Sequence, residues 1–162
     1  MERTDSFSSR RMLIRAGTVV GFGLGGMLDG IILHQLLQWH HLVSIPVPPN
    51  DQAALEQNIW WDGVFHAAMY GIVALGLILM VRAVWESRYN APFRPLFGAV
   101  LIGVGIFHGV DSILNHWVLQ IHHIRMVENW LIYDLGYLGI GLVAFGIGWR
   151  LIRTAPLAQE RA

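Results

Sequence analysis

The amino-acid sequence predicts an all-α fold, an integral membrane four-helix bundle made of two tandem helical hairpins. Its 162 residues are 54% hydrophobic and only 14% charged, which is too apolar for a soluble globule of this size. Four apolar segments each approach the about 20 residues that a membrane-spanning helix needs. The first and third segments share one pattern of polar residues, which indicates that the hairpin is an internal repeat.

The four predicted spans divide the chain into a membrane domain and two tails. They run over Ala16–Trp39, Trp61–Val84, Pro95–Leu119 and Trp130–Leu151. Residues 16–152 therefore form one transmembrane domain, with repeat 1 over about 16–84 and repeat 2 over about 95–152. The Ser-rich, basic residues 1–15 predict a disordered cytoplasmic tail, and residues 153–162 form a second cytoplasmic tail.

The arginines predict the topology, because all eleven basic residues are arginines and they are unevenly placed. Three groups flank the spans on one side of the membrane, and only Arg125 lies in a loop on the other side. The positive-inside rule then places both termini in the cytoplasm. The three groups are Arg3, Arg10, Arg11 and Arg15; Arg82, Arg88 and Arg94; and Arg150, Arg153 and Arg161.

The internal repeat is the most specific pattern in the sequence. Gly21–Leu42 and Gly103–Ile124 align at one constant offset, and their rare polar residues coincide while their apolar residues vary. Two spans per repeat give both copies the same orientation, which predicts a pseudo-twofold axis along the membrane normal. The matched polar residues are Asp29 and Asp111, His34 and His116, Gln38 and Gln120, and His40–His41 and His122–His123. In the second and fourth spans, Asp62 corresponds to Asp134.

Helical geometry predicts how the histidines are arranged. Ionisable side chains inside a membrane are costly, so they usually face the bundle interior and mark function. On an α-helix His34, Gln38 and His41 share one stripe, and His34 lies about 10 Å deeper than His41. These two histidines are therefore not expected to share an ion. His34 and His116, at matching depth, are expected to bind one ion or cofactor together.

The candidate site residues fall into two predicted roles. The predicted metal ligands are His34, His41, His116, His123, His66, Asp62 and Asp134, of which the two carboxylates either bind the metal or orient a histidine. The predicted relay or orienting residues are Asp29, Asp111, His108, Gln38 and Gln120. His66 and His108 have no histidine counterpart in the other repeat, which predicts an asymmetric site. The competing interpretation is structural, with interfacial histidines and carboxylates that hydrogen-bond between helices.

The types of donor atom in the sequence limit the possible cofactors without identifying one. The chain has no cysteine, which excludes thiolate sites and disulfides. Imidazole with carboxylate suits zinc, iron, manganese or copper(II), and imidazole alone suits haem iron. No nucleophile or general-base pattern names an enzyme class. A net charge of zero leaves no basic surface for nucleic acid, so the expected partner is the lipid bilayer.

Three segments carry a resemblance to a known family. They are GGMLDGIILHQLLQWHH (Gly25–His41), WWDGVFH (Trp60–His66) and HHIR (His122–Arg125). With them the chain, from about Arg11 to Arg153, resembles bacterial inner-membrane proteins catalogued as domain of unknown function 2243. The resemblance implies a multipass protein of the bacterial inner membrane. It also implies a connection with respiratory oxidase assembly, which favours copper or haem as the cofactor.

Three functional hypotheses remain open from the sequence. The first is a metal- or haem-binding membrane protein that serves respiratory oxidase assembly or electron transfer. The second is a small proton- or metal-ion-coupled transporter, which with four helices would act as a homodimer. The third is a non-catalytic scaffold within a larger respiratory membrane complex.

Overall fold

The computed structural model describes residues 2–87 and 93–155, and this part of the chain contains helices and no strand. The four α-helices are α1 (Glu2–Asp29), α2 (Gln52–Ser87), α3 (Phe93–Asp111) and α4 (Trp130–Arg153). Each is part of a helical segment long and apolar enough to cross a membrane, which confirms the predicted four-helix membrane fold. Arg88, Arg161 and the tail beyond residue 155 lie outside the described residues.

The first helix is longer than the sequence predicts. α1 is helical from Glu2, within the segment predicted to be a disordered tail. Side chains of α1 are already buried before residue 16, as shown by Leu13, which is only 3% exposed. Arg10 also donates a hydrogen bond of 2.8 Å to the carbonyl of Ile152 in α4. The part of α1 that packs against the rest of the protein therefore includes Arg10 and the residues after it.

The second helix also begins earlier than predicted, at Gln52 rather than Trp61. Asp51 accepts a hydrogen bond of 2.8 Å from the backbone N–H of Ala54, which is the contact of a helix N-cap. This cap satisfies a donor at the start of α2. The first two turns of the helix mix apolar residues with Gln52, Glu56, Gln57 and Asn58.

Helices α1 and α3 each continue into a π-helical segment, and the sequence does not predict either one. The segments are Gly30–Leu36 and Ser112–Val118, at matching positions of the two repeats and directly after Asp29 and Asp111. In a π-helix each N–H bonds the carbonyl five residues back, which changes the direction of every following side chain. Such segments are rare and frequently occur at functional sites.

Each π-helical segment ends in a sharp reversal of the chain. Gln38 and Gln120, again matched residues, have φ angles of 49° and 50°. Residues other than glycine seldom adopt this left-handed conformation. The reversal turns the following histidines back toward the helices instead of extending them along a longer helix.

The helices pack in the order α2, α1, α3, α4. The central pair is α1 and α3, with α2 against α1 and α4 against α3. At the centre, a Cβ on Gly21 would collide with the Val100 carbonyl, and one on Gly103 would collide with the Thr18 carbonyl. Small residues allow membrane helices this close approach. The matched contacts fit the expected pseudo-twofold axis, which itself stays a prediction.

Candidate metal centre

Buried polar side chains gather at the ends of the spans from which the loops 37–51 and 119–129 emerge. Side chains of this kind are expensive inside a membrane protein unless they are paired or functional. Eight of these side chains are at most 5% exposed and carry an imidazole or a carboxylate: Asp29, His34, His40, Asp62, Asp111, His116, His122 and Asp134. Four come from each repeat, and they form one continuous group between the two hairpins.

Asp62, on α2, holds the first repeat together. Its carboxylate lies 2.9 Å from Nδ1 of His34 and 2.7 Å from Nδ1 of His41. It also accepts a hydrogen bond of 2.8 Å from the backbone N–H of Leu42. Since a carboxylate only accepts hydrogen bonds, each Nδ1 carries the proton it donates, and each Nε2 points away from Asp62.

Asp134, on α4, makes the corresponding contacts in the second repeat. Its carboxylate lies 3.3 Å from Nδ1 of His116 and 2.8 Å from Nδ1 of His123. The backbone N–H of Ile124 donates a hydrogen bond of 2.9 Å to the same carboxylate. The weak match between the second and fourth spans in the sequence therefore marks two equivalent positions in the structure.

The predicted separation of His34 from His41 is wrong. The prediction places them about 10 Å apart along a regular α-helix, whereas both contact the single carboxylate of Asp62. The reason is the π-helical segment and the reversal at Gln38, after which His41 folds back over the helix end. The predicted stripe of His34, Gln38 and His41 does not exist.

His40 and His122 are tied across the two repeats. Nδ1 of His40 donates to the carbonyl of Ile124, and Nδ1 of His122 donates to the carbonyl of Leu42, both at 2.9 Å. A carbonyl only accepts, so Nδ1 carries the hydrogen and Nε2 keeps a free lone pair when the ring is neutral. Burial, followed by the neighbouring His122, lowers the pKa of His40 well below its ordinary value. The His40 ring is therefore a neutral imidazole at neutral pH.

Two clusters of three donor groups result, one in each repeat. The first cluster is Asp29, His34 and His40, and the second cluster is Asp111, His116 and His122. Within each cluster, one donor atom from every residue lies within 4.8 Å of the others. Nε2 of His34 is 3.4 Å from Asp29 Oδ2, and Nε2 of His116 is 3.1 Å from Asp111 Oδ2. In both clusters the imidazole Nε2 atoms face the carboxylate.

The donor atoms of both clusters lack hydrogen-bond partners in the described part of the chain. In the first cluster these are Nε2 of His34, Nε2 of His40 and Oδ1 of Asp29. In the second they are Nε2 of His116, Nε2 of His122 and Oδ2 of Asp111. Their closest contacts are ion-pair distances of 3.1 and 3.4 Å without the geometry of a hydrogen bond. Buried polar atoms are almost always paired, so six unpaired atoms converging in two groups require an explanation.

A row of four imidazoles joins the clusters. Its ring centroids lie 4.4 Å apart from His34 to His40, 4.6 Å from His40 to His122, and 4.9 Å from His122 to His116. The middle two rings are stacked at 14°. His34 and His116, expected to face each other around one ion, instead stand at the two ends of this row.

The remaining predicted site residues lie outside the clusters. His66 donates from Nδ1 to the carbonyl of Asp62 at 2.7 Å, and its Nε2 is buried against Gly30. Nδ1 of His108 lies 3.1 Å from the carbonyl of Tyr137, on whose ring His108 stacks at 4.0 Å. Gln38 and Gln120 form the chain reversals.

The sequence analysis matches His40 with His122 through the repeat but does not select either as a ligand. It also gives Asp29 and Asp111 only a relay or orienting role. The structure brings these four residues to the centre of the clusters and leaves Asp62 and Asp134 behind the histidine rings. The duplicated HH pairs were the sequence signal that could have identified His40 and His122. In each pair the first histidine belongs to a cluster, and the second contacts Asp62 or Asp134.

Comparison with known proteins places the chain in a family. The family described as "Predicted membrane protein (DUF2243)" matches residues 16–155, which include both π-helical segments and both clusters. The chain belongs to the DUF2243 family. The resemblance noted in its sequence is therefore confirmed, and this DUF2243 protein is a membrane protein of a family whose function is unknown. No curated protein and no solved structure matches the chain.

Proposed function

We propose that this DUF2243 protein binds two transition-metal ions, one in the first cluster and one in the second. The observation that carries the proposal is the set of six buried donor atoms that lack hydrogen-bond partners and converge in two groups. A bound cation would satisfy three of these atoms in each cluster. The structural alternative, carboxylates that only join helices, would leave Nε2 of His40 and Oδ1 of Asp29 with neither a hydrogen bond nor an ion pair, at a cost of about 1–3 kcal/mol each.

The contacts behind the clusters are those of metal-binding histidines. A histidine ligand typically donates its second ring N–H to a carboxylate or a backbone carbonyl, which fixes its orientation and its tautomer. Asp62 accepts such a hydrogen bond from His34, and Asp134 lies 3.3 Å from Nδ1 of His116, at the distance of an ion pair. Backbone carbonyls stand behind His40 and His122. Hydrogen bonds therefore orient three of the four rings before an ion arrives, and the ion-pair contact with Asp134 holds the fourth, His116.

The donor set favours a small divalent ion over haem. Two imidazoles and one carboxylate, with further positions open, are the ligands of non-haem iron(II) sites and also suit zinc and copper(II). A porphyrin between His34 and His116 would have to separate rings whose centroids are 4.4–4.9 Å apart along the row. Donors around an ion with 2.0–2.1 Å bonds lie about 3.3 Å apart, so small side-chain movements would complete each cluster.

The proposed location is the outer half of a bacterial plasma membrane, with both termini in the cytoplasm. The arginine-rich ends of the spans support this orientation, and the clusters lie at the opposite ends. From this position a metal centre would serve respiratory oxidase assembly or electron transfer. A homodimer or a larger respiratory complex is the proposed setting, because α2 and α4 leave wide apolar faces toward the lipid.

Elemental analysis of gently purified protein tests the proposal. Protein from cells supplied with iron, zinc, manganese and copper should contain close to two ions per chain. His40→Ala and His122→Ala should each remove about one ion, because each eliminates one ligand of one cluster. His108→Ala is the matched control, since this partly buried histidine lies outside both clusters. The proposal would be refuted if the protein folds normally, carries no ion and takes up none of these four metals. A Soret band in its absorption spectrum would favour haem instead.

A further inference from the structure

A polar cavity of about 490 Å³ lies at the loop end of the first repeat. His40, a proposed ligand of the first cluster, forms part of its wall. The cavity therefore ends at one of the clusters to which the proposed function assigns an ion. The polar and thioether side chains in its lining are Gln38, His40, His41, Ser44, Asn50 and Met126.

His41 stands beside His40 in this wall and offers one further nitrogen. Its Nδ1 donates to Asp62 Oδ2 at 2.7 Å, so Nε2 is the ring atom left for a ligand. The loop around it is held firmly, because the backbone N–H of His41 donates to Ser44 Oγ at 2.7 Å. Ser44 Oγ in turn donates to the His41 carbonyl at 3.0 Å. The imidazole is thus oriented in the same way as the cluster ligands.

The corresponding histidine of the second repeat is covered differently. The indole of Trp130 stacks on His123 with a centroid distance of 3.8 Å and an interplanar angle of 12°. The residue of the first repeat that corresponds to Trp130 is Asn58, at the same offset that aligns Asp62 with Asp134. Asn58 donates hydrogen bonds of 2.7 and 3.0 Å to the carbonyls of Val47 and Ala54. It therefore anchors the loop instead of stacking on His41.

We propose that this cavity is the path by which a hydrated divalent cation reaches the first cluster from the aqueous side, with His41 as its first ligand. The inference rests on the proposed function. The ion exchanges one water for Nε2 of His41 and then passes to the adjacent His40 and Asp29. The carboxylate of Asp62, which contacts both His34 and His41, keeps the path electrostatically favourable for a cation.

The absence of cysteine in the chain allows a direct test by blocking the cavity after folding. Met126→Cys places one thiol in the cavity wall, and Val127→Cys places one on the neighbouring exposed residue outside the lining. Each purified variant is freed of metal, coupled to a polyethylene glycol maleimide, and mixed with cobalt(II). Visible absorption then follows uptake. Asn50→Cys provides a second wall position if Met126→Cys folds poorly.

The first cluster of the blocked wall variant should take up cobalt(II) on the order of tenfold more slowly than in the uncoupled form, whereas the second cluster should fill at the same rate in both. The final cobalt content of the blocked variant should be unchanged, because the block lies outside both clusters. Coupling at Val127→Cys should leave the rate within about twofold of its uncoupled form. Equal rates for coupled and uncoupled wall variants would overturn the access path while leaving the metal centre intact. A chain that binds no cobalt, iron, zinc, manganese or copper in any form would overturn the proposed function and this inference with it.

Discussion

Asp62 and Asp134 are the residues that organise the centre at the level of single side chains. Each contacts the Nδ1 atoms of two histidines and accepts a backbone N–H from the loop that follows them. One carboxylate therefore connects a deep histidine, an outer histidine and the loop backbone. This triple contact explains why the buried carboxylate of Asp62 is stable inside the bundle, since it accepts from His34, His41 and the Leu42 backbone.

Asp62→Asn tests this orienting role. The amide offers one oxygen and one N–H₂ group to three donors, so at least one donor of His34, His41 or Leu42 loses its acceptor. The affinity of the first cluster for its ion should fall by about 10–100-fold, the range found for residues that orient metal-binding histidines. Competition with a metal-binding dye measures the affinity of each cluster separately.

Asp51→Asn is the matched control for this substitution. Asp51 is exposed and caps α2, and asparagine is an equally good N-cap. The Asp51→Asn variant should bind both ions with the same affinity as the unmodified protein. An Asp62→Asn variant that binds both ions with unchanged affinity would show that the carboxylate does not orient the ligands.

At the level of elements, the π-helical segments and the chain reversals gather the Asp and His side chains of two spans into the clusters. Each segment follows a cluster carboxylate, contains one cluster histidine and is followed, after the reversal, by the second. A continued α-helix would carry His40 away from His34 by about 9 Å of helical rise. The irregular ends of α1 and α3 therefore bring together residues that a regular helix would separate.

These same irregular elements mark the limit of what the sequence predicts. The apolar spans, the arginine distribution and the duplication predicted the four helices, because those patterns extend over about 20 residues each. The buried Asp and His residues were also found. The two Asp/His clusters were not predicted. A change from four-residue to five-residue backbone hydrogen bonding over only seven residues leaves no visible change in the spacing of apolar residues. The left-handed Gln38 was equally hidden, since neither glycine nor asparagine marks it.

Substitutions at Gln38 test the reversal. Valine is β-branched and is a strong outlier at a φ of 49°, so Gln38→Val should lower the free energy of unfolding by about 1–3 kcal/mol. Gln38→Gly should be tolerated, because glycine adopts this conformation readily. Thermal unfolding in detergent, followed by circular dichroism, compares the two variants.

The same pair of substitutions at Gln57, an exposed residue inside α2, should reverse the order. There glycine costs about 1 kcal/mol relative to a good helix former, and valine costs less. Equal stability of Gln38→Val and Gln38→Gly would contradict the left-handed reversal. Gln120 provides an independent repeat of the comparison, with a φ of 50°.

At the scale of the whole molecule, the two ends of the spans have different chemistry. The loop end holds the clusters and the polar cavity. At the other end, arginines join the helices: Arg10 donates to the Ile152 carbonyl, and Arg94 donates to Thr154 Oγ1 at 2.8 Å. Between them, the glycine contacts of α1 and α3 hold the two hairpins at close range. The molecule therefore presents one end with buried Asp and His clusters and one cationic end.

Cysteine labelling in intact cells tests the orientation that follows from these two ends. Asn50→Cys places a thiol at the exposed loop end, and Thr154→Cys places one at the exposed end of α4. A membrane-impermeant maleimide added outside should label Asn50→Cys at once, because the positive-inside rule keeps the arginine-rich end in the cytoplasm. Thr154→Cys should be labelled only after the cells are permeabilised. The unmodified chain, which has no cysteine, gives the background. The opposite pattern would place the clusters on the cytoplasmic side, where the metal would come from the intracellular pool.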